Sequence, residues 1–284
     1  MNEPVGLSDS GDGEDKKEDL EDKDQKQAAE KEETAVLAVS QDNEERSIYI
    51  EWHDQFLEKA VKEQLHTGGD IAIEDAEAVR SLNLDEGDIR DIQDLKWFIN
   101  LRELSLKGNY ISDIESISFM SDLEKLNIEA NSVTSLAPLA ELKGLKRLDL
   151  YDNMITDVSP LADLTKLTML DIRNNRVEDI FALYRMTEME ELYLSTNRIT
   201  DIWPVEGMAN LKYLSVKENP VEDISSVYGK EWLGTLVLAH TSVKDVRVVE
   251  NLPKLYYLDL TGCLIDDRSP LISLKKRGGV KILE

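Results

Sequence analysis

Between Val79 and Lys276 the chain repeats one apolar skeleton every 22 residues, nine times in succession and without a gap. The units begin at Val79, Leu101, Leu123, Leu145, Leu167, Met189, Leu211, Leu233 and Leu255. In each, positions 1, 4 and 6 are aliphatic, position 11 is Ile or Val, and position 17 is Leu, Ile or Val. Position 14 is aliphatic except at Arg268 in the last unit. A unit this short cannot bury its own apolar face, so the fold must come from stacking unit on unit.

Positions 4 and 6 alternate with 3, 5 and 7, a period of two that specifies a short strand buried on one side. Position 9 is Asn in six units: Asn109, Asn131, Asn153, Asn175, Asn197 and Asn219. A carboxamide both donates and accepts, so a column of them can satisfy turn groups in its own coil and the next. Gly87, Thr241 and Cys263 replace it in flanking units, as expected where a repeat has one neighbour. Segments such as "DVSPLADL" are too short for a full α-helix and read as tight return turns.

The pattern LxxLxLxxNxIxDIxPLxxL resembles the 22-residue leucine-rich repeat of bacterial internalins, and also that of phosphatase-regulating repeat proteins of eukaryotes. The match covers 198 of 284 residues. "DQFLEKAVKEQL" and "GDIAIEDAEAVRSLNL" resemble the helical cap that precedes such repeats in surface proteins of Gram-positive bacteria. The resemblance implies an α/β fold. Its form would be a right-handed leucine-rich-repeat solenoid, a curved arc with a parallel concave β-sheet, short 3-10 or irregular convex segments and a helical N-terminal cap. At about 4.8 Å per strand, nine strands make a sheet roughly 40 Å long.

Around the repeats the composition changes. Residues 1–46 hold 16 acids and 6 bases and no aromatic residue, too little apolar surface to offset chain entropy, and are expected to be disordered. Residues 47–78 form the expected cap. Within it Asp54 is the N-cap of a helix bearing Leu57, Ala60, Val61 and Leu65, and Thr67-Gly68-Gly69 is its glycine C-cap. The repeats occupy 79–276, and 277–284 reads as a closing strand. No run approaches 18 apolar residues, and "MNEPVGLSDSGDGEDKKEDL" lacks the basic start and apolar core of a secretory signal.

Once packing has used its positions, 3, 5, 7 and 8 are left to the open face of the sheet. Arg147, Tyr151, Met169, Arg173, Tyr193, Tyr213, Lys217, His240 and Tyr257 fall in these columns and make a candidate partner-binding strip. Tyr, Met and Arg are enriched at the centres of interfaces. The competing reading is that tyrosines favour strands and pack over their neighbours. Asp149 and Asp171, at position 5 of adjacent units, are expected to be a solvated charge ladder beside Arg147 and Arg173 rather than an acid–base pair. Trp97, Trp203 and Trp232 fall in return segments, where convex-side packing is expected. Lys230 replaces an aliphatic residue at position 20, and Trp232 is expected to fill the hole. Cys263 is expected to be structural and excludes an intrachain disulfide.

No nucleophile elbow, phosphate loop, dinucleotide glycine motif or zinc-binding histidine pair occurs. The expectation is a non-catalytic protein-binding scaffold, without cofactor or metal, that is monomeric and does not insert in a membrane. A net charge of −25 opposes nucleic acid as a partner. The resemblance implies an extracellular or cell-surface protein whose leader or lipid anchor is absent from this sequence. The alternative is a cytoplasmic regulatory subunit like the phosphatase regulators, which suits the free cysteine.

Overall fold

The structure is a computed structural model and describes residues 48–284. The acidic segment 1–46, expected to be disordered, lies outside the described residues. Each unit contributes one three-residue strand: β1 (Ser81–Asn83), β2 (Glu103–Ser105), β3 (Lys125–Asn127), β4 (Arg147–Asp149), β5 (Met169–Asp171), β6 (Glu191–Tyr193), β7 (Tyr213–Ser215), β8 (Thr235–Val237) and β9 (Tyr257–Asp259). β10 (Lys281–Leu283) follows in the tail. All ten pair in parallel, in sequence order, in one sheet that does not close on itself. The pairing advances by one repeat per strand, Leu104 beside Leu126 and Leu148 beside Leu170, so every column keeps its face. The ladder runs past the strands: the amides of Leu150 and Asp152 bond to the carbonyls of Asp171 and Arg173 in the next coil.

The leucines at position 4 and the aliphatic residues at position 6 are buried in every unit, in a single core with positions 11, 14 and 17. The asparagine column joins the coils. Asn153 Nδ2 donates to Leu150 O at 3.2 Å and Tyr151 O at 3.3 Å in its own turn, and to Ile128 O at 2.9 Å in the preceding coil. Its Oδ1 accepts the Val133 amide at 2.9 Å. Cys263, in the same column, reaches back in the asparagine's way, its Sγ donating to Leu238 O at 3.1 Å.

Two columns carry more constraint than the sequence shows. Position 8, taken as free, is left-handed in every unit, from Glu86 (φ 54°) through Asp152 (55°) to His240 (57°) and Gly262 (77°). The backbone must turn there so that position 9 can point inward. Position 13 is Asp in eight units, and its Oδ1 accepts the amide two residues on, as from Asp157 to Ser159 at 2.8 Å and from Asp179 to Phe181 at 2.7 Å. This side-chain cap starts each 3-10 return. In the third unit Ser135 serves, at 3.3 Å.

The ends depart from the pattern. In α1 (Gln55–Gln64) Asp54 accepts the amides of Phe56 and Leu57. Its other oxygen accepts those of Arg90 and Asp91 in the first unit, at 2.9 and 3.1 Å. Burial raises its carboxyl, but these four donors outweigh that and hold it below the usual range. The expected glycine C-cap is not used. The chain leaves α1 through Leu65 and turns left-handed at His66 (φ 54°), before Gly68 is reached. A second short helix, α2 (Ile73–Ala78), leads into β1. The ninth return is a true helix, α3 (Ser269–Arg277), and there Arg268 and Lys275 both hold the Glu284 carboxylate that follows β10.

Lys230 needs no filler. It is itself buried, 5% exposed, and its ammonium donates to Glu206 O at 2.7 Å. Trp232, expected to plug a hole there, stands 53% exposed. Burial pushes the Lys230 amine below its usual range.

Asn153→Ala removes one acceptor and three donor bonds at a buried junction between two coils. It should lower unfolding free energy in urea by about 2–4 kcal/mol, whereas Asn131→Ala, at a more exposed junction, should cost less.

Candidate functional site

The register sets the open face as three parallel columns. Column 5 runs Asn127, Asp149, Asp171, Tyr193, Ser215 across adjacent strands. Column 3 runs Lys125, Arg147, Met169, Glu191, Tyr213, Thr235, Tyr257. Column 7 lies beyond the strand ends and holds Glu129, Tyr151, Arg173, Ser195 and Lys217.

Four of the expected strip residues come together in one cluster. The Tyr193 and Tyr213 rings are 4.5 Å apart, tilted by 31°. The Arg173 guanidinium lies 5.1 Å from the Tyr151 ring and 5.2 Å from that of Tyr193, within cation–π range of both. Its Nε reaches both oxygens of Asp171, at 2.9 and 2.8 Å, and an amino group bonds Asp171 as well. Beneath, the hydroxyls of Ser195 and Ser215 bond at 2.6 Å. Burial and the bond its hydroxyl donates to Glu191 at 3.0 Å push the Tyr193 phenol up to about 12.

The other expected residues share the face without joining the cluster through any ring or ion pair among the described residues. Met169 is half-buried between Arg147 and Glu191. Lys217 pairs with Glu218 at 3.1 Å. Tyr257 lies under Lys281 at 5.3 Å. His240 is exposed above Gly262, where a Cβ would come within 2.5 Å of its Nδ1. A side chain at Gly262 would force the His240 ring to move, and φ 77° there is left-handed backbone that glycine adopts without strain.

The solvated charge ladder does not form. Asp171 is 1% exposed, because Arg173 folds over it and its carboxylate also accepts the Arg173 amide at 3.0 Å. Asp149, one strand away, has no such cover. Desolvation pushes its carboxyl up to about 6, opposed by the Tyr151 amide and reinforced by Asp171 and Glu129.

Beyond Asp149 the face dips into a trough of about 420 Å³ over β1–β4. Asn83, Ser105, Asn127 and Asp149 line it along column 5, with Glu103 and Arg147 in column 3. The sequence reading passed over this trough. Its signal was the run of small polar residues at position 5 in the first three units, where β6 has a tyrosine. On the return side Phe181, Tyr184 and Trp203 form a half-exposed aromatic group, with centroids 5.2, 5.5 and 6.3 Å apart. Trp203 packs on the return side as expected, but against Phe181 and Tyr184 at the surface, 43% exposed, and aromatic residues at position 15 of two successive units were the sign of this group. Among the described residues no group of three or more His, Cys, Asp or Glu could hold a metal ion.

The raised Asp149 carboxyl gives a stability test. An unfolded aspartate titrates near 3.9, so the folded state binds this proton more tightly, and stability falls as pH rises from about 4 through about 6. Asp149→Asn should stabilise the protein by on the order of 1–2 kcal/mol at pH 7.5 and leave it nearly unchanged at pH 4, measured by urea denaturation at each pH.

The model of the family described as leucine-rich repeats (2 copies) matches residues 99–141 and 143–185. Among curated proteins none matches the chain at a significant level. An internalin, inlF, from Listeria monocytogenes is similar in structure, with TM-score 0.68 and 24% identity over 81% of this chain and 75% of that one. Internalin C2 of the same organism has TM-score 0.61 and 26% identity over 83% of this chain and 94% of its own. The ectodomain of the Arabidopsis thaliana receptor kinase GASSHO1/SCHENGEN3, solved in complex with Casparian strip integrity factor 2, shares the fold at TM-score 0.61 and 18% identity, over 68% of this chain and 26% of that chain. The tandem repeats, the open parallel sheet and the two internalin likenesses agree: this chain is a leucine-rich-repeat protein, internalin-like in its fold.

Proposed function

We propose that the protein is a non-catalytic scaffold that binds another protein across the open face of its sheet, and that it acts at the surface of a bacterial cell or outside it. The observation that carries this reading is the joined cluster of Tyr151, Arg173, Tyr193 and Tyr213 on a face the core does not need. Rigid aromatic rings around a fixed guanidinium offer a large contact area at small entropic cost. Arg173 is held in place by Asp171, and the ring pair by stacking, so little ordering remains to be done on binding. Met169, Arg147, Lys217, His240 and Tyr257 lie around this centre as rim contacts.

The internalin likeness supports the surface location, and the described residues contain no helix long and apolar enough to cross a membrane. The plant receptor ectodomain in its complex is an instance of this fold engaging a protein ligand.

The test uses the full chain as bait on extracts and culture medium, with the captured protein identified by mass spectrometry and its affinity then measured by calorimetry. The double variant Tyr193→Ala/Tyr213→Ala should bind that partner at least roughly tenfold more weakly while keeping its circular dichroism. Unchanged affinity rejects the face.

A further inference from the structure

The rings on the return side are not called for by packing. Position 15 is Gln93, Glu115, Ala137 and Ser159 in the first four units, yet it becomes Phe181 and Trp203 in the next two. Both rings are half-exposed beside Tyr184. Two coils after Tyr184, at the same position of its own unit, Tyr228 stands 70% exposed. Exposed aromatic groups of this size mark binding grooves.

A cleft of about 330 Å³ opens beside the Phe181 and Trp203 rings, with Asp179, Thr200 and Asp201 along it. A larger one, of about 710 Å³, lies over the seventh and eighth units beside Tyr228, Arg247 and Asn251. Both lie between positions 12 and 15 of their coils, so stacking sets them in line. Neither offers main-chain donors at its position 15. The amides of Phe181, Trp203, Ser225 and Arg247 are each taken by the aspartate two residues earlier, at 2.7 to 2.9 Å. An extended peptide would find little backbone to pair with, and what remains is rings and polar side chains. Asp179 and Asp201 each use one oxygen on such an amide, and the other has no partner among the described residues. Arg247 is locked to Asp245 through Nε and one amino group, and its other amino group has no partner among the described residues.

A flat apolar face bordered by carboxylate and hydroxyl groups is the complement of a pyranose ring, which has apolar C–H faces and a hydroxylated rim. We propose that this side of the solenoid is a second binding site, a groove for an uncharged polysaccharide that runs along the coils. One sugar stacks on Trp203 beside Phe181, and a later one on Tyr228. The free oxygens of Asp179 and Asp201 accept hydroxyl protons from the first, and Arg247 and Asn251 bond the second. Charge sets the class of polymer. Glu178 is answered by Arg198 and Asp245 by Arg247, but Asp179, Asp201, Glu222 and Asp223 leave the groove negative, which opposes uronic-acid or phosphate polymers. The groove is separate from the sheet face and does not rest on the reading of that face.

The probes are cellohexaose and chitohexaose, titrated into the ¹⁵N-labelled full chain and followed by amide and indole chemical shifts. With at least one of them, saturable shifts are expected at the Trp203 indole and at the Phe181, Thr200 and Ser225 amides. Phe181→Ala/Trp203→Ala should weaken binding at least roughly tenfold while circular dichroism stays unchanged. Trp203→Tyr should keep most of the affinity, and Trp232→Ala, an exposed ring outside both clefts, should keep all of it. Silence with both neutral sugars overturns the proposal, as does a response that survives the loss of both rings. Equal or tighter binding of hexagalacturonate or hexalysine overturns it as well, because charge rather than stacking would then make the site. Tyr193→Ala/Tyr213→Ala should leave the sugar response intact. If that variant removes it, the sugar lies on the sheet face and the groove fails.

Discussion

The amide of one asparagine per coil sets the geometry on which the molecule depends. Each coil turns sharply after its strand, and the turn leaves backbone carbonyls and an amide pointing into a space closed to water. Asn175 shows the solution: its Nδ2 donates to Ile172 O and Arg173 O in its own turn and to Leu150 O in the coil before. Its Oδ1 accepts the Ile155 amide. Buried groups that would otherwise cost 1–3 kcal/mol each are thereby used as ties between coils. The left-handed residue at position 8 follows from this, because the chain must reverse there to bring the carboxamide inward.

With the turns tied by one column and the core filled by the aliphatic ones, the sheet face is not needed for cohesion. That freedom is what lets it vary from unit to unit while the interior hardly changes. The result is unequal along the solenoid. Over β1–β4 the central column is small and polar and leaves a trough, whereas over β5–β7 the face carries an ion pair and stacked tyrosines. Two environments of different chemistry thus lie on one continuous surface.

Asp149 stands at the border between them, and its neighbour explains its character. A carboxylate under a guanidinium is compensated, as Asp171 is. A carboxylate beside that compensated pair, half-buried and near Glu129, has the Tyr151 amide but no ion pair of its own among the described residues. The fold bears this charge at a cost in stability, and residues kept at such a cost concentrate where proteins meet their ligands.

The sequence by itself determined the period, the strand positions, the buried columns and the asparagine ties. Each of these is a local demand repeated nine times, so repetition raised it above the noise. Tyr151, Arg173, Tyr193 and Tyr213 could be assigned to one face for the same reason. The sequence did not show that Arg173 would fold back over Asp171, that Lys230 would bury its own ammonium, or that His66 would take the turn reserved for glycine. Nor did it show the trough. Those outcomes depend on single side chains meeting across neighbouring coils, where distance and access to water decide between an exposed charge and a buried pair. Such contacts occur once each, so no period announces them, and only the stacked coils bring the partners within reach.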